Sequence, residues 1–266
     1  MARSSSFALV VTRGLALIVV FAVATSSVAC SDDPAPAPAG GSTLLGTPGS
    51  NREVGSGSGA SGSGSTFSAA VQQGKATYYD YSGAGQVACS FEITSDTDVT
   101  ALPEPDFAAS AACGACLDVS GPKGKVTVRV VDLCPDCEPG HIDLSAQAFA
   151  KIADPVQGRV PITYRAVACN VTGPMAYRVK EGSSKYWTAI QVRNHRVPVA
   201  KVEYLKNGTF TEMPRETYDY FVDTMGVGDQ PNGIALRITG ADGQVVTDSI
   251  PGPQAGEVFP GAAQFR

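Results

Sequence analysis

The sequence predicts a mainly β chain in three parts: a flexible, disordered tether, a small disulfide-stapled β domain, and a cysteine-free antiparallel sandwich. Residues 31 to about 70 are Pro-Ala and then Gly-Ser repeats, which have no apolar area to bury. Cysteines cluster between Cys89 and Cys169 and are absent from Thr172 onward. From Val71 to the end, short alternating apolar runs recur with turn residues between them. The 266 residues leave room for two domains of about 100 residues each after the tether.

At the N-terminus, Arg3 and Arg13 precede the apolar run LALIVVFAVA, Leu15 to Ala24, and the small residues TSSVAC. This is a charged region, a short apolar core and a cleavage zone, so residues 1–29 are expected to be a signal peptide. Two processing routes are open. Ser27 and Ala29 suit ordinary cleavage, while SVAC resembles a loose lipobox that would make Cys30 a lipidated first residue. Ser27 stands where lipoproteins usually carry Leu. Seven cysteines are an odd number, and lipidation of Cys30 accounts for that better than a free thiol does. The remaining six suit three disulfides in an oxidising compartment. CGAC and CPDC also have zinc-ribbon spacing, but export favours disulfides.

Composition excludes some functions. The net charge is -5 with no Lys/Arg cluster, which argues against nucleic acid. The two histidines, His141 and His195, are too few and too far apart for a His-rich metal site, and no cofactor is implied.

Within the first domain, KVTVRVVDL alternates, with Val126, Val128 and Val130 on one face. VPITYRAVAC is a second such run. Between them LSAQAFAKIADP reads as a short helix, capped by Ser145, with Phe149 and Ile152 on one face and Asp154-Pro155 ending it. In the second domain MAYRVKEG, YWTAIQVRN, AKVEYL, TFTEM, IALRITG and QVVTDSI are strand candidates, with hairpin turns at LKNGTF and TGADGQV. The sequons at Asn170 and Asn207 are expected to be incidental.

Asp143 in GHIDLSAQAF is the carboxylate of most interest. Asp132 ends the KVTVRVVD run, Asp136 lies between two cysteines, and Asp80 sits in KATYYDYSG beside Thr77 and three tyrosines. Two carboxyl groups would serve glycoside hydrolysis, one as acid and one as base. The plainer reading is that Asp132 and Asp143 satisfy turn amides. Tyr186 and Trp187, adjacent in SSKYWTAIQ, would point to opposite faces of a strand unless a bulge or edge exposed both. With Tyr218 they would make a platform for pyranose rings. The alternative is Trp187 as sandwich core.

Together GKATYYD, VVDLCP, HIDLSAQAFAKI and YRVKEGSSKYWTAIQVRNHRVPVAKVEY resemble the bacterial expansins, and more distantly plant expansins, over residues 71–266. The HIDLS motif is similar to His-Phe-Asp-Leu-Ser of plant expansins and family-45 endoglucanases, with Ile142 for Phe. The resemblance implies a six-stranded double-psi β-barrel over 71–170 and an immunoglobulin-like β-sandwich, a cellulose-binding module, over 171–266, behind a linker at 30–70. It implies wall loosening without hydrolysis by an exported protein, free or lipid-anchored. The expected partners are cellulose and matrix glycans, with peptidoglycan a further candidate, no nucleic acid, no membrane contact beyond an anchor, and a monomeric state. Asp143 matches the activity-critical aspartate. Thr77, Tyr79 and Asp132 match groove positions, Tyr186, Trp187 and Tyr218 the aromatic platform, and Lys180 a basic residue of the glucan surface. By analogy with plant relatives the expected disulfides are Cys89–Cys113, Cys116–Cys169 and Cys134–Cys137. Three departures stand out: the plant-like cysteine set, Cys134 in place of a groove aromatic, and Asp80 where many relatives have Gly. The last keeps open an inverting endoglucanase with Asp143 as acid and Asp80 as base. A peptidoglycan-acting barrel lipoprotein is the third reading.

Overall fold

The computed structural model describes residues 69–266. The expected signal peptide, Cys30 and all but the last two residues of the expected linker lie outside the described residues. The expected mainly β architecture is present as a six-stranded closed barrel followed by two four-stranded sheets.

The barrel strands are β1 Gln72–Tyr79, β2 Val99–Pro103, β3 Cys116–Ser120, β4 Lys125–Cys134, β5 His141–Ser145 and β6 Val160–Val167, closing in the order β1-β5-β2-β4-β3-β6. β1 runs parallel to β5 and β2 parallel to β4, while the other barrel pairs are antiparallel. Parallel neighbours need crossovers, so strands far apart in sequence become adjacent. The alternation in β4 sends Val126, Val128 and Val130 into the barrel core with Ile142 and Leu144 of β5. A four-residue helix α1, Glu104–Phe107, follows β2. Between β5 and β6, helix α2 Ala146–Ile152 starts where Ser145 accepts the Ala148 amide, and it buries Phe149 and Ile152 completely. Asp154 does not belong to that helix. It caps the separate 3-10 turn Pro155–Gln157.

The sandwich sheets are ordered β10-β9-β12-β13 and β11-β8-β7-β14. Their strands are β7 Ala176–Val179, β8 Thr188–Arg193, β9 Val199–Lys206, β10 Thr209–Met213, β11 Phe221–Asp223, β12 Ile234–Gly240, β13 Val245–Ile250 and β14 Val258–Pro260. Strict alternation in β12 buries Ile234, Leu236 and Ile238 against Val202 and Tyr204 of β9. The β9–β10 hairpin turns at Asn207 and Gly208, both at positive φ, as a two-residue primed turn requires. The three-residue strands β11 and β14 were not among the sequence candidates, and the strand predicted at YWTAIQVRN starts only at Thr188.

Three disulfides join Cys89 to Cys113, Cys116 to Cys169 and Cys134 to Cys137. They occupy both Cys-x-x-Cys motifs and leave no thiolates there for the zinc-ribbon alternative. Among the described residues no helix is long and apolar enough to cross a membrane.

Candidate functional site

Strand register builds a lateral row across one side of the barrel. Thr77 of β1 lies opposite Asp143 of β5, Asp143 lies opposite Ala101 of β2, and Ala101 lies opposite Asp132 of β4. The β2–β4 register shifts at Thr100/Ala101, which places Asp132 in this row.

Thr77 Oγ1 donates to Asp143 Oδ1 at 2.5 Å and lies 2.7 Å from His141 Nε2. A hydroxyl has one proton to give. With that proton on the carboxylate, His141 must donate through Nε2, which fixes its tautomer. Burial raises the Asp143 pKa above the ordinary range, and the Asp132 carboxylate adds to this. The Thr77 hydrogen bond and His141 pull the other way. Burial lowers the pKa of His141, which favours its neutral form. Asp143 thus accepts from a side-chain hydroxyl. Asp132 fits the plainer reading better, because its Oδ1 takes the amides of Ala88 at 2.8 Å and Leu133 at 2.9 Å.

Tyr79 borders the same acids. Its hydroxyl is buried without a hydrogen-bond partner, and burial together with Asp132, Tyr81 and Asp143 raises its pKa. Asp80 is placed differently, on an exposed turn just past β1, where its Oδ1 accepts the Gly83 amide at 3.2 Å.

Trp187 and Tyr218 occupy the outer face of the β11-β8-β7-β14 sheet. Trp187 is half-buried and packs with Tyr218 on a small cluster of Ala189, Tyr220 and Val222, outside the sandwich core. The core reading of Trp187 is therefore corrected. Neither Tyr186 nor Trp187 is in a strand: Ser184 bridges to Trp187 around the turn Lys185-Tyr186, leaving Tyr186 73% exposed. β8 and β11 are antiparallel, with Val222 opposite Ala189. Trp187 precedes β8 and Tyr218 precedes β11, so the two rings sit at opposite ends of a floor that Ala189 keeps low. Lys180 Nζ stands 5.7 Å from the Tyr218 ring centroid and 5.1 Å from that of Tyr220.

The two sites are joined through residues that sequence reading passed over. Gln191, fully buried, donates to the Cys89 carbonyl at 2.7 Å and to Asp219 at 3.2 Å. Arg215 pairs with Asp219 at 2.9 Å. Burial raises the Asp219 pKa against the pull of the Arg215 guanidinium. His195 lodges against Gly114, where a Cβ would lie 2.5 Å from the imidazole, and its pKa is pushed down to about 3 by burial and by Arg129 and Arg215. His141 had a readable signal, because it shares a strand face with Asp143 two residues on. Gln191 and Asp219 had none.

A family profile described as lytic transglycolase matches residues 71–164, the barrel part. Expansin-YoaJ of Bacillus subtilis is 41% identical over 201 residues, covering 71% of this chain and 85% of that protein. The chain belongs to the expansin family. This expansin is also 33% identical over 152 residues to Expansin-A32 of rice, covering 46% of this chain and 56% of that one. Among solved structures, an expansin from Clavibacter michiganensis matches with a TM-score of 0.69 and 33% identity, covering 74% of this chain and 98% of that one. A mutant of the same Clavibacter expansin, in complex with cellohexaose, matches equally well.

Proposed function

We propose that this expansin is an exported, non-hydrolytic wall-loosening protein that binds cellulose and disturbs its noncovalent contacts with matrix glycans. The observation that carries the reading is Trp187 packed with Tyr218 outside the sandwich core, with Tyr186 exposed on the adjoining turn. Rings with solvent-facing surface suit the C–H faces of pyranoses, through dispersion and apolar burial. The Clavibacter complex with cellohexaose supports the same ligand class. In this reading residues 171–266 hold the crystalline polymer, while 71–170 grip a glucan chain, with Asp143 hydrogen-bonding a sugar oxygen beside Thr77, Tyr79 and Asp132. Lys180 adds a cation beside Tyr218. No cofactor is needed, the protein acts as a monomer, and a lipid on Cys30 would tether it to a membrane.

Hydrolysis with Asp80 as base is less well supported, because Asp80 sits in an exposed turn occupied by the Gly83 amide. The lytic transglycolase match favours a second reading, action on peptidoglycan, for which the aromatic row has no evident use.

One paired assay tests these readings. Trp187→Ala is expected to weaken binding to microcrystalline cellulose by about tenfold or more. Asp143→Asn is expected to retain binding and lose wall extension, and neither variant nor wild type should release reducing sugar. Sugar release abolished by Asp80→Asn would instead establish an enzyme. Pull-down on peptidoglycan sacculi in preference to cellulose would establish the second reading.

A further inference from the structure

We propose that residues 88–92 form a strap that fixes the spacing between the Thr77–Asp143–Asp132 row of the barrel and the aromatic cluster of the sandwich, with Ser90, Gln191 and Asp219 as its positioning residues. The proposal rests on the cellulose-binding reading and deepens it: the two sites act as one ruler for a single extended glucan chain.

The bonds fall on residues 88, 89, 90 and 92, and two of them reach Asp132 and the backbone of Tyr218. The Ala88 amide donates to the Asp132 carboxylate of the barrel row at 2.8 Å. The Cys89 carbonyl accepts from Gln191, which follows Ala189 on the outer face of β8, at 2.7 Å. The Ser90 hydroxyl donates to the carbonyl of Tyr218, a member of the aromatic cluster, at 2.9 Å. Glu92 then binds two arginines of the sheet, Arg178 at 2.5 Å and Arg193 at 2.6 Å. From the other side, Ser110 Oγ donates to the Glu216 carbonyl at 2.8 Å, and Asp219, held by Gln191 and Arg215, closes the turn that presents Tyr218. The Cys89–Cys113 disulfide ties the strap to the segment just after Ser110.

The backbone is strained where these contacts converge. Ser90, Ser110 and Asp219 adopt φ of 54°, 74° and 63°, although none is glycine. Such conformations persist only where the surroundings over-determine them, and they collect where position matters.

A rigid link of this kind has a binding signature. A glucan long enough to reach both sites gains from effective concentration, whereas a short one gains nothing. The test is calorimetric titration of cellotriose and cellohexaose into wild type, Ser90→Ala and Ser90→Ala/Gln191→Leu, each checked for cooperative melting. Wild type should prefer cellohexaose, and the double variant should lose about threefold or more of that preference, read as the ratio of the two affinities. Ser90→Ala should lose less, and it carries the test alone if the double variant fails to fold. An unchanged preference in a folded variant overturns the strap and leaves the cellulose reading standing. Wild type that binds neither sugar overturns both.

Discussion

At the scale of single residues, Thr77 shows how one proton sets the state of a buried acid. Its hydroxyl sits between His141 and Asp143 and gives its hydrogen to the carboxylate. That bond favours the ionised form against the cost of burial. Thr77→Val keeps the shape and removes the donor, so the Asp143 pKa should rise further. At a pH near that midpoint, less of the carboxylate should then be ionised. A carboxyl-carbon titration by NMR measures this, and an unchanged or lowered midpoint would contradict the assignment. Asp143 was legible in the sequence because it lies in a distinctive motif, HIDLS. Thr77 was less so, because it reaches Asp143 through parallel pairing of strands more than sixty residues apart. Asp80 looked like an equal partner in sequence, since a list of residues does not show which carboxylate lies on an exposed turn.

At the scale of elements, the aromatic row depends on a turn and on the loop that packs beneath it. The Gly228 amide donates to the Lys185 carbonyl at 3.0 Å, and Lys185 pairs with Asp229 at 2.9 Å. Gly226, at φ 72°, comes so close that a Cβ would lie 2.5 Å from the Tyr186 carbonyl carbon and nearer still to the Lys185 oxygen. Gly226→Ala should therefore displace the Lys185-Tyr186 turn. The expected result is weaker cellulose binding together with a stability loss of about 1–3 kcal/mol. Pull-down alongside thermal melting checks this, and wild-type binding in a folded variant would show that the turn does not depend on the glycine. Helix α2 was readable in advance because its cap and apolar spacing are local. β11 and β14 were not, because three residues become a strand only when a neighbour supplies the hydrogen bonds. Trp187 could not be placed from alternation, because it precedes the strand whose alternation was being read.

At the scale of the whole molecule, the disulfides differ in how much chain they enclose. Cys116–Cys169 spans a separation of 53 residues and Cys134–Cys137 only 3. In the chain-entropy account these loops correspond to about 4 and about 1.5 kcal/mol of stability. Paired Cys→Ser variants compared by urea unfolding should keep that order, and the reverse order would mean native-state packing around the sulfurs outweighs loop closure. The two-part β architecture could be read because turn punctuation and cysteine distribution change along the chain. Barrel closure could not be read from periodicity, since alternation gives the faces of a strand and not its neighbours. It came from family resemblance. The strap between the lobes had no sequence signal at all, because Ser90, Gln191 and Asp219 are ordinary polar residues until the fold brings them together.

The barrel's pairing order also sets a timetable. β1 bonds only to β5 and β6, so the first barrel strand made has no partner until residues beyond 140 exist. A chain emerging in order must carry Gln72–Tyr79 unpaired through most of the lobe's synthesis. Contacts so distant in sequence make folding slow and late. Slowness of that kind would suit the export proposed above, in which the chain stays unfolded while it crosses a membrane.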